Sequence, residues 1–511
     1  MRAGTGHTVV TKRGPVRGTV ADGLRTTLGI PYAAPPFGAG RFRAPRPAEA
    51  WDDVRECTGF GAVAPQSAEL PGSPVWRPGD EDVLTLNVWA PAGTPEPLPV
   101  LFWIHGGAYT FGSSAQPDYD GSALARAGTV VVTCNYRLGF EGFGHVPGFP
   151  GNRGLLDQIA ALEWVRDNIA AFGGDPDNVT VAGQSAGGGS IASLMSSARA
   201  DGLFRRAIAH SVPDAFFPPE LAERLAREVA DAAGVASTAD GLLAATPQAL
   251  VEASDRVVAR YAGDPASGHL HYDTVLYGPV LDGVLLTRDP VEAPARDGAA
   301  HPVDLLVCHT TEEYWLMHQV GSMPTVTTDD GLARFAADHG LPPALVAAYR
   351  ALMPGAPVLD VFLALAGDAV FSLPTVRLAE AHARAGAGRT FLSRFDRRRT
   401  RPDGSPVRAW HAADVPFAFG TLDATGVDFL TGGPADADDR ALSRRMVHAW
   451  TAFAAGGDPG WAPLTVPLTP SPADTTARAV HVWDVPGDRT EGAAPAYALW
   501  DGVRTAPPSL P

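Results

Sequence analysis

Short apolar runs separated by polar turns mark the chain from about residue 100 onward. Five of these runs, rich in β-branched and aromatic residues, predict buried strands: Pro99–His105, Thr129–Thr133, Val179–Ala182, Val303–Val307 and Thr390–Phe395. Nearly continuous apolar runs of this length are typical of central strands in a sheet that is covered on both faces. The pattern therefore predicts a sheet within the protein core.

A segment with helical periodicity lies between the second and third runs. In Leu155–Phe172 the apolar residues recur every three or four positions, which predicts a helix with one buried stripe. Gly173 and Gly174 should end this helix, because glycine readily adopts a left-handed cap. A strand, a helix and a second strand in succession imply parallel pairing, so the expected fold is a doubly wound α/β core.

The chain shows no repeat and no linker that would divide it. Pro218–Gly234 predicts another amphipathic helix, which opens a largely helical stretch over residues 213–302. This stretch separates two core strands, and we expect it to be a cap or insertion region. Although length alone suggests about three domains, we predict that residues 1–511 form a single elaborated domain.

Composition narrows the possible partners. With 45% hydrophobic and 19% charged residues the protein is typical of a globular chain, and its net charge is −16. This charge disfavours nucleic acid or an anionic membrane as a partner, since both attract basic patches. No apolar run of about 18 residues and no secretory leader is found, so we expect a cytoplasmic protein without a membrane partner. A chain trimmed of its leader would look the same.

The sequence carries no metal or cofactor motif. Its three cysteines, Cys57, Cys134 and Cys308, lie far apart and do not support a zinc ribbon, a redox motif or a disulfide framework. HExxH, P-loop and dinucleotide-binding patterns are missing. We therefore expect no cofactor and no metal.

A short motif points to nucleophilic catalysis. Gly183–Gly187 (GQSAG) fits GxSxG, directly follows the predicted strand Val179–Ala182 and opens an apparent helix, Gly188–Ser197. This is the context of a nucleophile elbow, in which small residues allow a sharp turn that exposes the serine hydroxyl. An ordinary glycine-rich turn is the alternative. The context favours Ser185 as the nucleophile.

A second motif follows the first predicted strand. His105–Ala108 (HGGA) resembles the HGGG-type loop of esterases and lipases. Its small residues would let backbone N–H groups approach the oxygen of a substrate carbonyl, and the N–H of Ala186 would join them. The two motifs together are far more specific than either alone.

Long strings along almost the whole chain resemble the type-B carboxylesterase family, which includes bacterial p-nitrobenzyl esterases and the cholinesterases. They are Gly29–Ala33 (GIPYA), Arg41-Phe42, Glu81-Asp82 with Leu86–Val88 (LNV), Trp103–Gly107 (WIHGG), Asn135–Gly139 (NYRLG), Gly154-Leu155, Asp157-Gln158, Asn168–Pro176, the GQSAG motif, and Trp410-His411 with Val415–Phe417 (VPF). The resemblance implies an α/β-hydrolase fold, with a mostly parallel central sheet flanked by helices.

The resemblance also implies a Ser–Glu–His catalytic triad in that chain order. The family's nucleophile matches Ser185, its acid matches Glu313 and its histidine matches His411. Glu312 is the rival for the acid. The implied oxyanion donors are Gly107, Ala108 and Ala186.

The residue types suit this chemistry. A serine hydroxyl needs an adjacent base at neutral pH, and histidine ionises close enough to neutrality to take and return the proton. A carboxylate on the other ring nitrogen fixes the tautomer and stabilises the imidazolium.

Some positions depart from the family pattern within the site. Cys308 and Tyr314 stand where the family usually has glycines, which could reshape the loop that presents Glu313. Gln184 replaces the family's usual glutamate inside the elbow, an exchange that keeps hydrogen bonding but removes a charge.

Other departures lie near the N-terminus. Val83 and Ala64 replace the two cysteines of the family's first disulfide, which agrees with a reducing compartment, and Cys57 is read as a small buried residue. Trp76 resembles the cholinesterase tryptophan that receives the choline cation. Packing beneath a loop is the favoured alternative for Trp76.

The leading hypothesis is a cofactor-free carboxylic ester hydrolase that forms an acyl-enzyme on small to medium organic esters. One alternative keeps the triad but passes the acyl group to an internal hydroxyl or amine, as an acyltransferase or a lactone- or ring-forming cyclase of secondary metabolism. Another is a non-catalytic binding module, since folds host unrelated functions. We expect a small-molecule ester as partner, and a monomer or small homo-oligomer.

Overall fold

A central sheet of 13 strands runs through the protein in the computed structural model, which describes residues 5–67, 75–294, 302–401, 404–466, 479–492, 494–503 and 505. Two further strands form a separate hairpin. The strands are β1 (Thr5–Val10), β2 (Pro15–Ala21), β3 (Leu24–Pro31), β4 (Arg55–Glu56), β5 (Thr85–Pro91), β6 (Leu98–Ile104), β7 (Val130–Cys134), β8 (Gly174–Gln184), β9 (Arg206–His210), β10 (Asp304–Thr310), β11 (Thr390–Phe395), β12 (Arg399–Thr400), β13 (Pro406–Val407), β14 (Val480–Trp483) and β15 (Arg489–Glu491).

Helices connect these strands and cover both faces of the sheet. They are α1 (Ser122–Arg126), α2 (Gly139–Phe143), α3 (Arg153–Asn168), α4 (Ala186–Ser196), α5 (Pro219–Ala233), α6 (Ala239–Ala244), α7 (Pro247–Gly263), α8 (His269–Tyr272), α9 (Trp315–Val320), α10 (Asp329–Asp338), α11 (Pro343–Leu352), α12 (Val358–Gly367), α13 (Leu373–Ala385), α14 (Val415–Phe419), α15 (Val427–Thr431), α16 (Ala437–Gly456) and α17 (Pro495–Ala498). A π-helical turn, Asp368–Ser372, joins α12 to α13.

The middle of the sheet is parallel and its edges are antiparallel. The strand order is β1-β2-β3-β5-β7-β6-β8-β9-β10-β11-β14-β15, and β4 pairs with β2. From β7 to β14 every pairing along this order is parallel. The pairings from β1 to β7 and the β14–β15 pairing are antiparallel. The predicted α/β class with a mostly parallel sheet is confirmed.

Successive residues of β6 show that the sheet is buried on both faces. Phe102 and Ile104 belong to the core cluster that contains the apolar residues of α3, α4 and α5. Leu101 and Trp103 belong to a second cluster, which contains those of α14 and α16. Side chains alternate between the faces of a strand, so this run is apolar throughout because it packs on both sides.

The predicted helices are confirmed with small shifts at their ends. The stripe of Leu155–Phe172 forms α3 and a 3₁₀ turn, Ile169–Phe172. Gly173 then takes the left-handed conformation, with φ of 90°, that ends the helix as expected. The segment Pro218–Gly234 forms α5, whose C-cap is also a left-handed glycine, Gly234.

The proposed cap or insertion region lies between β9 and β10, which are neighbouring parallel strands. Its described residues form helices α5 to α8. Residues 295–301 of this region lie outside the described residues. The single-domain assignment and the role of this region as a cap stay predictions.

A third apolar cluster is formed by residues of α10 to α13 together with Trp500. The helical run Val358–Ala385, which begins in this cluster, is long and apolar enough to cross a membrane by length and composition. However, 72% of its most apolar stretch is buried inside the protein. Burial of this kind is what a core helix shows. The expectation of no membrane partner is untested and stays a prediction.

All three cysteines are free and buried. Burial raises the pKa of the Cys57 thiol to about 11, and Val83 and Ala64 belong to the same large apolar cluster as Cys57. A buried, protonated thiol is unreactive.

We therefore expect less than about one equivalent of thiol to react with an aromatic disulfide reagent within minutes in the native protein, and three equivalents after unfolding. Rapid titration of the native protein would contradict this burial.

Candidate active site

The nucleophile motif forms a sharp turn between a strand and a helix. Strand β8 ends at Gln184, α4 begins at Ala186, and Ser185 between them has φ of 58° and ψ of −123°. This conformation is costly for a residue with a Cβ, by roughly 1–3 kcal/mol. The Ser185 N–H donates to the carbonyl of His210, at 2.9 Å, at the end of β9. The sheet therefore fixes the strained turn that was predicted for Ser185.

The glycines of the elbow leave no room for side chains. A Cβ on Gly187 would lie 2.1 Å from the carbonyl oxygen of Ile104, and one on Gly183 would lie 2.6 Å from the backbone of Gly187. The first turn of α4 thus packs directly on β6 and β8. Glycine is required here by close approach of backbone atoms.

Replacement of Gly187 by alanine is expected to displace the elbow and to lower both stability and activity. Its Cβ would clash with a backbone carbonyl that a parallel sheet holds in place, at a cost of about 1–3 kcal/mol or more. Gly456→Ala is the matched control, since Gly456 lies in helix α16 with open space around its Cα. Thermal unfolding and ester turnover should both be impaired in Gly187→Ala alone; equal behaviour of the two variants would contradict the packing argument.

The loop after β6 begins at a buried histidine. The His105 ring stacks on Tyr136 with 4.5 Å between ring centroids, and its Nδ1 hydrogen-bonds the Gly106 carbonyl at 2.7 Å. Burial lowers the pKa of His105 to about 4, so the ring is neutral at pH 7 and donates through Nδ1. Gly107 and Ala108 then adopt positive φ values of 111° and 49°.

The loop after β6 lies beside the elbow, and backbone donors of both are unused. A Cβ on Gly106 would lie 3.1 Å from the Cβ of Ser185, which places this loop beside the nucleophile. Over the part of the chain that the structure describes, the N–H groups of Gly107, Ala108 and Ala186 donate to no protein acceptor. Donors that are fixed by the backbone and left unused suit an incoming oxyanion.

The structure brings Glu313 and His411 into direct contact. The Nδ1 atom of His411 lies 2.6 Å from the Oε2 atom of Glu313, and both side chains are buried. The Oε1 atom of Glu313 accepts hydrogen bonds from the hydroxyl of Ser211 and from the N–H of Thr310, each at 2.7 Å. The carboxylate is thus fully hydrogen-bonded and fixes the orientation of the imidazole.

Glu312 points elsewhere. Its carboxylate pairs with Arg408 at 2.7 Å and with Arg398 at 3.3 Å, and it accepts the N–H of Ala409 at 3.0 Å. These contacts tie the loop that presents Glu313, the acid loop, to the segment that precedes His411. Of the two adjacent glutamates, only Glu313 reaches the imidazole.

The imidazole is covered by the π-helical turn. Phe371 in this turn lies 4.3 Å from the His411 ring, centroid to centroid. At the start of the turn, a Cβ on Gly367 would lie 3.4 Å from the Cβ of Glu313. The sequence analysis missed Phe371 and Ser211; the position of Ser211, just past the carboxyl end of a parallel strand, was the one local signal for it.

The His411 ring contacts Gln184, the residue that precedes Ser185. The Nε2 atom of His411 is 2.9 Å from the side-chain nitrogen of Gln184. Within the described chain, the Ser185 hydroxyl forms no hydrogen bond to this ring. The structure therefore brings Glu313, His411 and Gln184 into one hydrogen-bonded chain, and Ser185 is the residue that follows Gln184.

The departures from the family pattern leave the acid loop intact. Cys308 is buried in β10, and its carbonyl accepts the N–H of Ser211 at 2.7 Å. Tyr314 is also buried and packs on Phe371, with ring centroids 6.2 Å apart. Both side chains are therefore accommodated in the core beside Glu313.

Trp76 is packed rather than open. Its ring is 8% exposed and lies 6.2 Å from that of Phe37, and its indole N–H donates to the Asp80 carbonyl at 2.9 Å. Residues 71–74, which precede it, lie outside the described residues. These contacts account for Trp76 as a packed residue, and its role in substrate binding stays a prediction.

Among the residues that the structure describes, one cluster combines metal-ligand types: His210, Cys308 and Asp414, all buried. The Nδ1 atom of His210 is 2.5 Å from the Oδ2 atom of Asp414, the distance of a hydrogen bond. Burial holds the pKa of the Cys308 thiol well above its usual range, and a protonated thiol is a poor ligand. The group therefore fits a hydrogen-bonded core cluster better than an ion site.

Comparison with known proteins identifies the family of the chain. The sequence profile of the carboxylesterase family matches residues 5–478. The chain is 38% identical over 463 residues to the para-nitrobenzyl esterase of Bacillus subtilis, covering 89% of this chain and 91% of that protein. It is 34% identical over 463 residues to the phenmedipham hydrolase of Pseudarthrobacter oxydans, covering 88% and 90%.

Solved structures give the same result. A thermophilic p-nitrobenzyl esterase superposes with a TM-score of 0.81 at 33% identity, covering 97% of this chain and 99% of that one. The carboxylesterase Est55 of Geobacillus stearothermophilus superposes with a TM-score of 0.80 at 36% identity, covering 96% and 99%. The chain therefore belongs to the carboxylesterase family, has the α/β-hydrolase fold and is a carboxylic ester hydrolase.

Proposed function

We propose that Ser185, His411 and Glu313 form the catalytic triad of this ester hydrolase, with Gly107, Ala108 and Ala186 as its oxyanion hole. The observation that carries the proposal is the 2.6 Å contact between His411 and the buried carboxylate of Glu313. It leaves the other ring nitrogen facing the elbow that presents Ser185. A base oriented by an acid and set beside a nucleophile is the arrangement that acyl transfer requires.

In the acylation half, His411 takes the proton of the Ser185 hydroxyl through Nε2 as Oγ attacks the ester carbonyl carbon. The carbonyl oxygen becomes an oxyanion, which the N–H groups of Gly107, Ala108 and Ala186 stabilise. His411 then returns the proton to the alcohol oxygen as the bond between that oxygen and the acyl carbon breaks. The alcohol leaves, and the acyl group remains on Ser185.

Deacylation repeats these steps with water. His411 takes a proton from water as the water oxygen attacks the acyl carbon, and the same donors hold the second oxyanion. When the bond to Oγ breaks, the proton passes from His411 to Ser185. The acid is released and the enzyme regains its starting state. Each lost oxyanion donor typically costs about 100- to 1000-fold in rate.

The substrate class proposed is small to medium organic esters. Relatives carry the names para-nitrobenzyl esterase and phenmedipham hydrolase, so neutral aromatic esters are the first substrates to try. Acyl and alcohol preference should depend on residues 213–302, because specificity in this fold resides in the cap and loops rather than in the triad.

Release of nitrophenol and carboxylic acid from p-nitrophenyl esters of increasing acyl length tests the proposal. We expect turnover of short and medium chains and formation of free acid in equal amount to nitrophenol. Addition of a small alcohol or amine should divert only a minor part of the acyl group. If nearly all of the acyl group appears on the added acceptor, the protein is an acyltransferase instead.

A further inference from the structure

Gln184, the residue before the nucleophile, contacts the reacting nitrogen of the base. It is the last residue of β8 and is 3% exposed. Its backbone is held by pairing with His210 on β9. Its side-chain nitrogen lies 2.9 Å from the Nε2 atom of His411. Under the proposed triad, this is the ring nitrogen that accepts the Ser185 proton.

The direction of this hydrogen bond follows from the other side of the ring. The Nδ1 atom of His411 faces the Glu313 carboxylate, which can only accept, so Nδ1 carries the hydrogen. In the neutral ring Nε2 then has the lone pair and is an acceptor. Gln184 must donate to it through its amide N–H. In this resting state Gln184 occupies the lone pair of Nε2, so it has to release that lone pair before Nε2 can accept the Ser185 proton.

An amide can also serve the opposite state. After a 180° rotation of the Gln184 amide about χ3, its Oε1 atom can accept a hydrogen bond from the protonated Nε2 of His411. A carboxylate, the usual group at this position in the family, can only accept and would favour the imidazolium. A glutamine can therefore hydrogen-bond both neutral and protonated His411, whereas a glutamate would stabilise only the protonated form.

The surroundings of His411 make this difference matter. Glu313, on the loop after β10, is the charged group that faces the ring in the described chain. Gln184 and Ser185 of the elbow are neutral. Phe371 of the π-helical turn covers one face of the ring. Asp414 in the histidine's own loop is bonded to His210, and Asp368 of the π-turn is bonded to Tyr349. In the described chain a carboxylate at position 184 would thus be the second anion directly on the ring.

We propose that Gln184 is a positioning residue for ester hydrolysis, which holds the His411 ring in the tautomer protonated at Nδ1 until the Ser185 hydroxyl replaces it at Nε2, and which accepts from the imidazolium afterwards. This inference rests on the proposed triad. It implies that the enzyme keeps its activity at lower pH than a form with glutamate at this position would. It also implies a loss of rate when the amide is removed, because neither state of His411 then has its partner.

The pH dependence of kcat/KM for a p-nitrophenyl ester tests the inference. In Gln184→Glu the added carboxylate favours the imidazolium, so the midpoint of the acid limb should move up by about one pH unit. Gln184→Leu should lower the plateau kcat by about tenfold, with KM and the acid limb little changed. Gln248→Glu adds the same charge on the exposed face of α7, and its profile should match the parent.

Two results would overturn the inference: an acid limb in Gln184→Glu that coincides with that of the parent, or a plateau kcat in Gln184→Leu equal to that of the parent. If Gln184→Glu does not fold, the Gln184→Leu result decides alone. Failure of the triad itself is recognised separately, because Ser185→Ala would then retain its activity. If Ser185→Ala is inactive but the acid limb of Gln184→Glu is not shifted, only the role of Gln184 is rejected and the triad stands.

Discussion

Ser185→Ala is expected to lower kcat for a p-nitrophenyl ester by about a million-fold, with a much smaller change in KM. The substitution removes the oxygen that forms the acyl-enzyme and the proton that His411 transfers. The oxyanion donors Gly107, Ala108 and Ala186 are unaffected, so a small residual rate above that of water should remain. The fold should be retained, since Ser185 is only partly buried and its hydroxyl forms no hydrogen bond to His411 in the described chain.

Ser196→Ala is the matched control for this variant. Ser196 lies at the end of the same helix, α4, and its hydroxyl donates only to the Ser193 carbonyl, at 3.0 Å. Its replacement should leave ester turnover unchanged. Undiminished activity in Ser185→Ala, measured on protein free of wild-type enzyme, would remove Ser185 from the mechanism.

Glu313→Gln should have the second largest effect, a loss of about 10⁴-fold in kcat. The amide can donate to Nδ1 of His411, which would place the ring hydrogen on Nε2, the nitrogen that has to accept the Ser185 proton. The substitution also removes the charge that stabilises the imidazolium. Both effects act on the transition state, so kcat should fall much more than KM rises.

The neighbouring glutamate provides the control. Glu312 pairs with Arg408 and Arg398, and it does not touch His411. Pairs of this kind contribute about 0–1 kcal/mol, so Glu312→Gln should change kcat by less than about fivefold. The reverse order of effects would assign the acid role to Glu312.

The core of the fold was predictable because its signals are local. The strands β6 and β7 consist mostly of buried apolar residues, and the buried stripe of α3 and the 3₁₀ turn after it lies within Leu155–Phe172. The antiparallel strands β1, β2 and β3 were not predicted, since many of their positions are exposed or only partly buried and their apolar signal is correspondingly weak. The elbow was predictable because a tight turn demands small residues at fixed spacing.

Contacts between distant segments could not be predicted from local patterns. Ser211 reaches Glu313 across 102 positions, and Gln184 reaches His411 across 227. The placement of Phe371 on His411 depends on a π-helical turn, which has no strong sequence signature. The family resemblance supplied Glu313 and His411, while the partners that orient them emerge only from the assembled sheet.

The covalent intermediate on Ser185 is the central claim, and rapid mixing followed by mass spectrometry tests it most directly. Enzyme mixed with excess p-nitrophenyl ester and quenched in acid within the first turnovers should show a burst of nitrophenol close to one equivalent per active site. Digestion should then give the peptide that contains Ser185 with the mass of one acyl group added. An acyl group on any other residue, or a burst that persists in Ser185→Ala, would contradict the account.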